Sequence, residues 1–587
     1  MIDILIVGAG PSGLCAAKTF LQYDGNTELV IIDALSTVGG AWAKEKLYPT
    51  LKTNNLFTSV DFTDFPMDQQ RFGVGPGEHI TGEVMHDYLT AYADHFHLTD
   101  RIRFKTRVVD VRRTQDGWAV ETENLDTNSR SFLVCRKLVI ATGVLSVPSK
   151  PDIQGADDFG VPFIHSADLG PQADAVMKNP DIKTVAVLGG CKSAYDAVYL
   201  AATTGHKVEW IIRKSGRGPT WVFPTHTMLG PFRAWRERLI TRRFFSFMSP
   251  CVFPDFSGFG WLRAFLHFNR VGSFVREKFW GAIYVDTLRD CEYRTNETHK
   301  VLEPEQSPFW YGTASGTLNY EEDFLSFIRS GQVRIHRNDI SHLSSGGKIH
   351  LVGETGDTQL DVDALVASTG YSAKPTISFS PAPSLHSDLG VPTTELSTAQ
   401  GTFWSELDDK ADLAIGQKFP QLLLGPPEPS EKPINLGAAR EVTYTPWRLY
   451  RGIAPPGLTS AGDRSLVFVG MFSNVANTIR LEVQCLWALG YLTSKLPSVD
   501  RDVEEGKVFE ETALFQRFAQ HRAPYGHGRF YPDLVFDQLP YWDTLLSDLG
   551  LKTQRKGSKL KELFEPYTQA DYRGLVEEWV AKQEGKQ

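Results

Sequence analysis

Residues 8–13 (GAGPSG) could bind the phosphates of a nucleotide. The apolar run 4–7 before them predicts a buried parallel strand, and residues 14–21 after them predict a helix. Glycines at these spacings permit a tight turn, a close approach of the backbone to a pyrophosphate and close packing of helix on strand. The next predicted strand ends at Asp33, where a carboxylate can hydrogen-bond to a ribose. The sequence predicts a dinucleotide site, favoured as FAD by its N-terminal position, that includes Gly8, Gly10, Pro11, Ser12, Gly13 and Asp33.

Residues 189–194 (GGCKSA) repeat this order, because the apolar run 184–188 precedes them and a predicted helix follows. The next predicted strand ends in Arg213 and Lys214 instead of an acid, and cations there suit the 2′-phosphate of NADP. Solvated surface charge is the alternative. Cys191 replaces the second glycine of the pattern, so its side chain is expected to crowd the pyrophosphate and shift the pose of NADPH. The predicted NADPH-binding residues are Gly189, Cys191, Lys192, Ser193, Arg213 and Lys214.

Several further segments resemble those of the flavin-containing monooxygenases and the related Baeyer-Villiger enzymes, especially the branch of fungal secondary metabolism. Residues 48–54 (YPTLKTN) look like the segment that carries the active-site asparagine of that family. The resemblance gives Asn54 a catalytic and cofactor-binding role, and the alternative is a local turn cap. Gly40 and Trp42 follow the first turn and are predicted to lie against the flavin, with a packed surface turn as the alternative.

Two short segments with small residues look like the crossings between the domains of this family. They are 141–143 (ATG) and 368–371 (STGY), and they add Thr142, Thr369 and Gly370 to the predicted cofactor-binding residues. Residues 466–470, followed by Asn474, are similar to the last strand of the family and the approach to its helix beside the flavin.

One motif of the family is only partly kept. Phe159 and His165 have its spacing, but Val161 stands where the motif has glycine and Leu169 where it has an aromatic residue. His165 is either a residue of the domain hinge that positions NADP or a structural histidine. Residues 48–55 contain no counterpart of the arginine and aspartate pair of type I Baeyer-Villiger enzymes, which makes ketone oxygenation less favoured.

The resemblance implies an FAD-dependent, NADPH-consuming monooxygenase that transfers one atom of O2 to an apolar small molecule through a flavin C4a-(hydro)peroxide. Baeyer-Villiger oxygenation of a ketone, and a flavin oxidase or dehydrogenase without oxygen insertion, remain alternatives. A scaffold protein that binds nucleotides without turnover is a further one. A flavin disulfide reductase would need a closely spaced cysteine pair, and the six cysteines are scattered.

The substrate is expected to contact an aromatic-rich helical insertion at 216–320, where Trp221 and His226 are the predicted substrate residues. An ordinary loop histidine is the alternative for His226. Residues 232–248 combine arginines with phenylalanines, which predicts an amphipathic helix. It is either a lid helix or a peripheral membrane helix.

The elements that must position these residues form an α/β fold with two nested Rossmann-like domains. We expect an FAD-binding domain at 1–165 and 345–500, an NADPH-binding domain at 166–344 and a C-terminal helical cover at 501–587. The length of 587 residues is ample for several domains. A loop is predicted at 425–433 from its proline and glycine content.

Composition excludes other classes of protein. The net charge of −9 provides no general basic field, so nucleic acid is not an expected partner. The cysteine spacing predicts neither a metal site nor a disulfide framework. We expect a cytoplasmic protein without a signal peptide or a transmembrane segment, with peripheral membrane contact as the one open alternative.

Overall fold

The computed structural model describes residues 1–229, 232–352, 358–382, 384–426 and 444–585. The loop predicted at 425–433 falls largely outside these ranges. The strands are β1 (Ile2–Val7), β2 (Leu29–Ile32), β3 (Lys52–Leu56), β4 (His79–Thr81), β5 (Ile102–Arg103), β6 (Thr106–Thr114), β7 (Gly117–Asn124), β8 (Arg130–Ile140), β9 (Phe163–His165), β10 (Thr184–Leu188), β11 (Lys207–Ile211), β12 (Val222–Phe223), β13 (His226–Leu229), β14 (Phe232–Trp235), β15 (Gly316–Thr317), β16 (Val333–His336), β17 (Ile340–Ser344), β18 (Lys348–Leu351), β19 (Thr358–Asp361), β20 (Ala364–Ala367), β21 (Ser378–Ser380) and β22 (Leu466–Phe468).

The α-helices are α1 (Pro11–Tyr23), α2 (Gln69–Phe72), α3 (Gly82–His95), α4 (Leu169–Met177), α5 (Lys192–Thr203), α6 (Arg236–Ile240), α7 (Arg243–Phe247), α8 (Gly260–Phe268), α9 (Arg270–Asp290), α10 (Glu297–Lys300), α11 (Phe324–Arg329), α12 (Ser384–Leu389), α13 (Thr398–Lys418), α14 (Pro420–Leu424), α15 (Pro456–Ser460), α16 (Asn477–Leu492), α17 (Pro497–Glu504), α18 (Val508–Arg522), α19 (Gln538–Asp548), α20 (Lys559–Phe564) and α21 (Leu575–Gln583).

The first sheet has the order β21-β6-β7-β8-β1-β2-β5, and β22 also pairs with β8. Strands β1, β2, β5, β8 and β22 are parallel. Ile6 packs into a core shared with α1 and α16, whereas Leu5 and Val7 pack into the core on the other face. This alternation is the consequence of strand geometry, and it explains why the run 4–7 is apolar throughout.

The second sheet consists of five parallel strands in the order β16-β11-β10-β20-β9. Along β10, Val185 and Val187 face one core, and Ala186 and Leu188 face the other. The antiparallel strands β17, β18 and β19 pack on the second of these cores. In the first sheet β7 pairs antiparallel with β6 and β8. The parallel strands of both sheets, with their covering helices, form the predicted α/β fold with nested Rossmann-like domains.

The two sheets divide the chain differently from the predicted boundaries at 165 and 345. Strands β9 and β20 were expected in the first domain, but both belong to the second sheet, where β20 lies between β10 and β9. The chain crosses between the sheets near residues 141–149 and 368–372. There the Ser149 N–H donates to the Gly370 carbonyl at 2.9 Å, and the Ser372 N–H donates to the Val147 carbonyl at 2.8 Å.

The prediction of one amphipathic helix over 232–248 is wrong. This stretch contains β14 followed by the short helices α6 and α7. Its arginines bind other parts of the protein instead of forming a basic face. Arg243 is buried and pairs with Asp543 and Glu562, and Arg236 pairs with Asp286 at 3.1 Å.

Helices after residue 497 complete the core of the first domain. Trp542, Leu545 and Trp579 pack in the same core as α1 and α16. In the ranges given above, none of the helices combines the length and the apolar character that crossing a bilayer requires. The same ranges contain no cluster of side chains suited to holding a metal ion.

Candidate active site

The first glycine turn joins β1 to α1 in very close contact with the chain crossing at residue 141. Gly8 has a φ of +111°, and a Cβ placed on it would lie 2.6 Å from the Ala141 carbonyl oxygen. A Cβ on Gly13 would lie 1.8 Å from the Gly8 carbonyl oxygen. Gly10 precedes α1 without a side-chain cap, and Pro11 is the first residue of the helix. The N–H groups of the first helical turn are therefore available to an anion, as the sequence predicted.

Asp33 holds this turn closed from the end of β2. Its carboxylate accepts hydrogen bonds from the Ala9 N–H at 2.6 Å and the Leu35 N–H at 2.8 Å. Burial raises the pKa of Asp33, while these two hydrogen bonds oppose the increase. A carboxylate has about four acceptor positions, so the predicted bond to a ribose hydroxyl stays compatible with this geometry.

Two further parts of the first domain approach the turn. A Cβ on Gly40 would lie 3.1 Å from the Cα of Gly10, and a Cβ on Gly470 would lie 2.3 Å from Ser12 Oγ. Trp42 is partly buried against the first core, and its carbonyl oxygen lies 3.1 Å from His86 Nδ1. Gly40 thus lies beside the first turn, and the contacts of Gly40 and Trp42 with a flavin stay predictions.

The second turn is built in the same way against the other chain crossing. Gly189 has a φ of +135°, and a Cβ on it would lie 2.3 Å from the Ser368 carbonyl oxygen. Cys191 precedes α5, and its thiol donates to the same carbonyl at 3.3 Å. Burial raises the pKa of Cys191, so the thiol is protonated at neutral pH. The side chain is therefore directed at Ser368, which argues against the expected crowding of a pyrophosphate by Cys191.

Lys192 has a different environment from the one expected of a phosphate ligand. Its ammonium group pairs with Asp196 and donates to Asn319 Oδ1 at 2.9 Å and to the Tyr320 hydroxyl at 3.2 Å. Asn319 in turn donates to the carbonyls of Lys52 and Thr53 at 3.2 and 3.1 Å. Lys192 thus connects the second turn to strand β3, and its charge is neutralised within the protein.

The remaining residues predicted around the second nucleotide lie at the ends of parallel strands. Arg213 is exposed just beyond β11, Lys214 beside it is half-buried, and Ser193 is the second residue of α5. In the crossing segments, the Thr369 hydroxyl donates to the Ser149 carbonyl at 2.6 Å. Thr142 is half-buried, and Gly370 has a φ of +84° with open space where a Cβ would lie.

A cavity of about 350 Å³ lies between β3, the insertion and the segments before α16 and α19. The lining includes the amides of Asn54, Asn55 and Asn474. Many of the other lining side chains are apolar, and they include Phe245, Trp280, Ile283, Val535 and Phe536.

Asn54 lies on β3 at the cavity wall. Its side-chain oxygen accepts a hydrogen bond from the Thr317 N–H at 3.3 Å, so strand β15 of the insertion orients the amide. The prediction that a neutral amide faces the reaction space therefore has a geometric basis, and the role of Asn54 in the reaction remains a proposal.

Asn474 is a second amide of this cavity, and the sequence alone gave it no role beyond a resemblance. It is 5% exposed, and neither of its side-chain polar atoms has a partner within the part of the chain that the structure describes. A buried amide without a partner is costly. The unpartnered amide and the crowded glycine turns fit a bound FAD, whose polar ring edge could satisfy Asn474.

Glu237 is the acidic side chain of the cavity wall, and no sequence motif indicated it. It lies on α6 and accepts hydrogen bonds from Asn55 Nδ2, from Ser59 Oγ at 2.9 Å and from the Leu56 N–H at 3.4 Å. Burial raises its pKa despite these donors. Asn55 also donates to the Val475 carbonyl at 3.2 Å, so one amide connects the insertion, β3 and the approach to α16.

The two predicted substrate residues do not line this cavity. Trp221 is fully buried, donates through Nε1 to the Gln306 carbonyl at 2.8 Å and packs against Phe223. It serves the core of the second domain. His226 lies in a separate surface recess, where Nδ1 is 3.3 Å from Arg233.

His165 ends β9 beside the second chain crossing. Its Nδ1 accepts a hydrogen bond from the Ala167 N–H at 3.1 Å, and its ring packs edge-on against Tyr371. Its Nε2 is buried without a partner among the described residues, and burial lowers the pKa of the ring. This position between the sheets is compatible with the role at the domain hinge that the partial motif implied.

Comparison with known proteins identifies the family. A family model described as pyridine nucleotide-disulphide oxidoreductase matches residues 5–226. The chain is 33% identical over 596 residues to the FAD-dependent monooxygenase resA of Aspergillus sclerotiorum, covering 100% of this chain and 99% of the relative. It is 32% identical over 589 residues to the FAD-dependent monooxygenase DEP4 of Alternaria brassicicola, covering 98% and 94%. The chain belongs to the family of FAD-dependent monooxygenases, and the predicted family and FAD cofactor are confirmed.

The solved structures show the same fold. The cyclohexanone monooxygenase of Rhodococcus sp. Phi1 bound to NADP+ matches with a TM-score of 0.55 and 16% identity, covering 94% of this chain and 97% of that one. A steroid monooxygenase bound to NADP matches with a TM-score of 0.55 and 17% identity, covering 94% and 98%.

We expect Gly8→Ala to lose bound FAD. The added methyl group would meet the Ala141 carbonyl at 2.6 Å, and the φ of +111° is unfavourable for alanine. The ratio of flavin absorbance to protein absorbance after purification measures the effect. Gly73→Ala is the control, because Gly73 also has a positive φ but open space at the Cβ. Full FAD content in a folded Gly8→Ala protein would contradict this account of the turn.

The raised pKa of Glu237 predicts a pH-dependent stability. A carboxyl whose pKa is higher in the folded state contributes stability that is complete below its unfolded pKa and is lost as the pH rises through the folded value. Glu237→Gln cannot ionise, so its melting temperature relative to the wild type should increase as the pH rises above the ordinary glutamate pKa of about 4.3. Thermal unfolding of FAD-loaded proteins tests this, with exposed Glu83→Gln as the control. A difference that does not change with pH would refute it.

Proposed function

We propose that this protein is an NADPH-consuming monooxygenase that inserts one atom of O2 into an apolar small molecule of fungal secondary metabolism. The observation that carries the proposal is the cavity between Asn54 on β3, Asn474 before α16 and the aromatic insertion. Two glycine turns of the same construction follow the parallel strands β1 and β10, one in each sheet. The fungal origin of the relatives supports the metabolic setting.

The cavity wall supports an apolar substrate. Trp280 and Ile283 from α9, Phe245 from α7 and Phe536 supply apolar surface to the same cavity as the amides. The guanidinium group of Arg236 also lines the cavity, but it is paired with Asp286 at 3.1 Å. Few convergent polar groups on an otherwise apolar wall are typical of small-molecule sites.

The protein contributes positioning and exclusion of water. FAD, when bound, supplies the activation of O2. Asn54 can donate a hydrogen bond to an oxygen atom in the cavity without giving up a proton, because an amide is neutral. Glu237 and Thr317 hold the strand and the amide in place through Asn55 and Asn54, respectively. The aromatic insertion covers the space and limits access of water.

Isotopic oxygen tests the proposal directly. FAD-loaded protein is supplied with NADPH, ¹⁸O2 and each of three probes, namely thioanisole, a terminal alkene and cyclohexanone. Mass spectrometry should detect one labelled atom in the product of at least one probe, together with NADPH oxidation. NADPH-dependent hydrogen peroxide formation without label in any product would instead indicate an oxidase, and absence of NADPH oxidation would refute the proposal.

Baeyer-Villiger oxygenation of a ketone is the second candidate. The observation in its favour is that Arg236 lines the cavity. Residues 48–55 contain no arginine, so Arg236 is a cation from a different part of the chain. In the same experiment it predicts a labelled lactone from cyclohexanone, whereas label in the sulfoxide or epoxide alone would exclude it.

We expect Arg213→Ser to reduce the preference for NADPH over NADH. The exposed guanidinium follows β11, where a 2′-phosphate would lie, and a hydrogen bond to a charged group is worth about 1.5–3 kcal/mol. The ratio of kcat/KM values for the two nucleotides should fall by about 10- to 150-fold. Lys207→Ser at the opposite end of β11 is the control. An unchanged ratio in the Arg213 variant would place the 2′-phosphate elsewhere.

A further inference from the structure

Helices α8 and α9 expose an unusual number of large apolar side chains. The two helices are joined through Asn269, and a Cβ on Gly272 would lie 2.0 Å from the Phe265 carbonyl, so they are packed tightly at the turn. Trp261 is 67% exposed, Phe268 61% and Val271 63%. We call the following residues the apolar hairpin face: Trp261, Phe265, Phe268, Val271, Phe274 and Val275.

The spacing of these residues places them on one side of each helix. Trp261, Phe265 and Phe268 are four and three residues apart on α8, and Val271, Phe274 and Val275 follow the same rule on α9. The opposite sides carry buried residues, including Leu266 and Trp280. Both helices therefore carry apolar residues on the side directed to solvent as well as on the buried side, and a globular protein rarely exposes such a patch without a partner.

Cations accompany the apolar hairpin face. Residues 261–278 contain Arg263, Arg270, Arg276 and Lys278 against a single acid, Glu277, in a chain whose net charge is −9. Arg270 at the turn and Lys278 are exposed, and the Lys278 ammonium lies 5.3 Å from the centre of the Phe274 ring. Aromatic side chains beside cations with aliphatic stems suit the boundary between acyl chains and anionic headgroups.

The same helix continues into the protein interior. Further along α9, beyond Val275, Trp280 and Ile283 form part of the cavity wall. One helix thus runs from the apolar hairpin face to the space where an apolar substrate is proposed to bind.

We propose that the apolar hairpin face binds the surface of a bilayer that contains anionic lipids, without crossing it. The aromatic residues insert at the level of the headgroups, and Arg270 and Lys278 contact lipid phosphates or carboxylates. The occupant is identified by the local chemistry: exposed Arg270 and Lys278 lie among exposed aromatic residues, an arrangement that matches anionic headgroups above acyl chains. This binding is independent of which reaction the cavity performs.

Sedimentation with vesicles tests the proposal on the full FAD-loaded chain. We expect the protein to sediment with vesicles of phosphatidylcholine and phosphatidylserine, and to bind vesicles of phosphatidylcholine alone at least several-fold less. Trp261→Ser/Phe268→Ser should reduce binding by roughly tenfold or more. Arg270→Glu/Lys278→Glu should remove the preference for phosphatidylserine. Phe132→Ser/Val134→Ser is the matched control, because these exposed side chains lie on β8 of the first sheet.

The remaining measurements separate the alternatives. FAD content and NADPH oxidation without lipid should be equal in wild type and in the hairpin variants, because the substituted side chains do not line the cavity. Equal vesicle binding by the wild type and the Trp261→Ser/Phe268→Ser variant would overturn the proposal. A wild-type dimer in light scattering that becomes a monomer in this variant, without vesicle binding, would overturn it in favour of contact between two copies.

Discussion

The candidate active site depends on hydrogen bonds between the insertion and strand β3. Glu237 accepts from Asn55, the Thr317 N–H donates to Asn54, and Asn319 donates to the carbonyls of Lys52 and Thr53. Strand β3 pairs only with the short strand β4 among the described strands, so its own ladder contributes little to its position. The insertion is therefore a structural part of the candidate active site.

The electrostatic character of the cavity follows from the same arrangement. Its cation, Arg236, is compensated by Asp286, and its acid, Glu237, is hydrogen-bonded by three donors. What faces the open space is then mainly amide and aromatic surface. Such a wall neither donates protons readily nor attracts bulk water. Both properties favour transfer of oxygen to a substrate over release of hydrogen peroxide.

The sequence predicts those features that local contacts determine. Gly8, Gly13 and Gly189 are required by contacts within a strand, turn and helix unit or with the adjacent crossing, and the spacing of the glycines reveals them. Glu237 and Asn55 are 182 residues apart, so no local pattern could connect them.

Tertiary contacts gave several predicted residues surroundings that the type of the residue did not indicate. Lys192 follows a phosphate turn but is neutralised by Asp196, and Trp221 belongs to an aromatic segment but fills a core. The composition of residues 232–248 suggested a membrane helix. In the structure, Arg236 pairs with an acid on α9, and Arg243 pairs with acids on α19 and α20. The predicted domain boundaries differ from the division between the sheets because of β9 and β20. Both strands are short, and only their pairing partners show that they belong to the second sheet.

The two crossings between the sheets run side by side and are hydrogen-bonded to each other at Ser149 and Gly370 and at Ser372 and Val147. The chain thus passes between the sheets as a paired ribbon, so a rotation of one sheet relative to the other must carry both crossings together. The hydrogen bonds between the insertion and β3 restrain the same rotation at a second place.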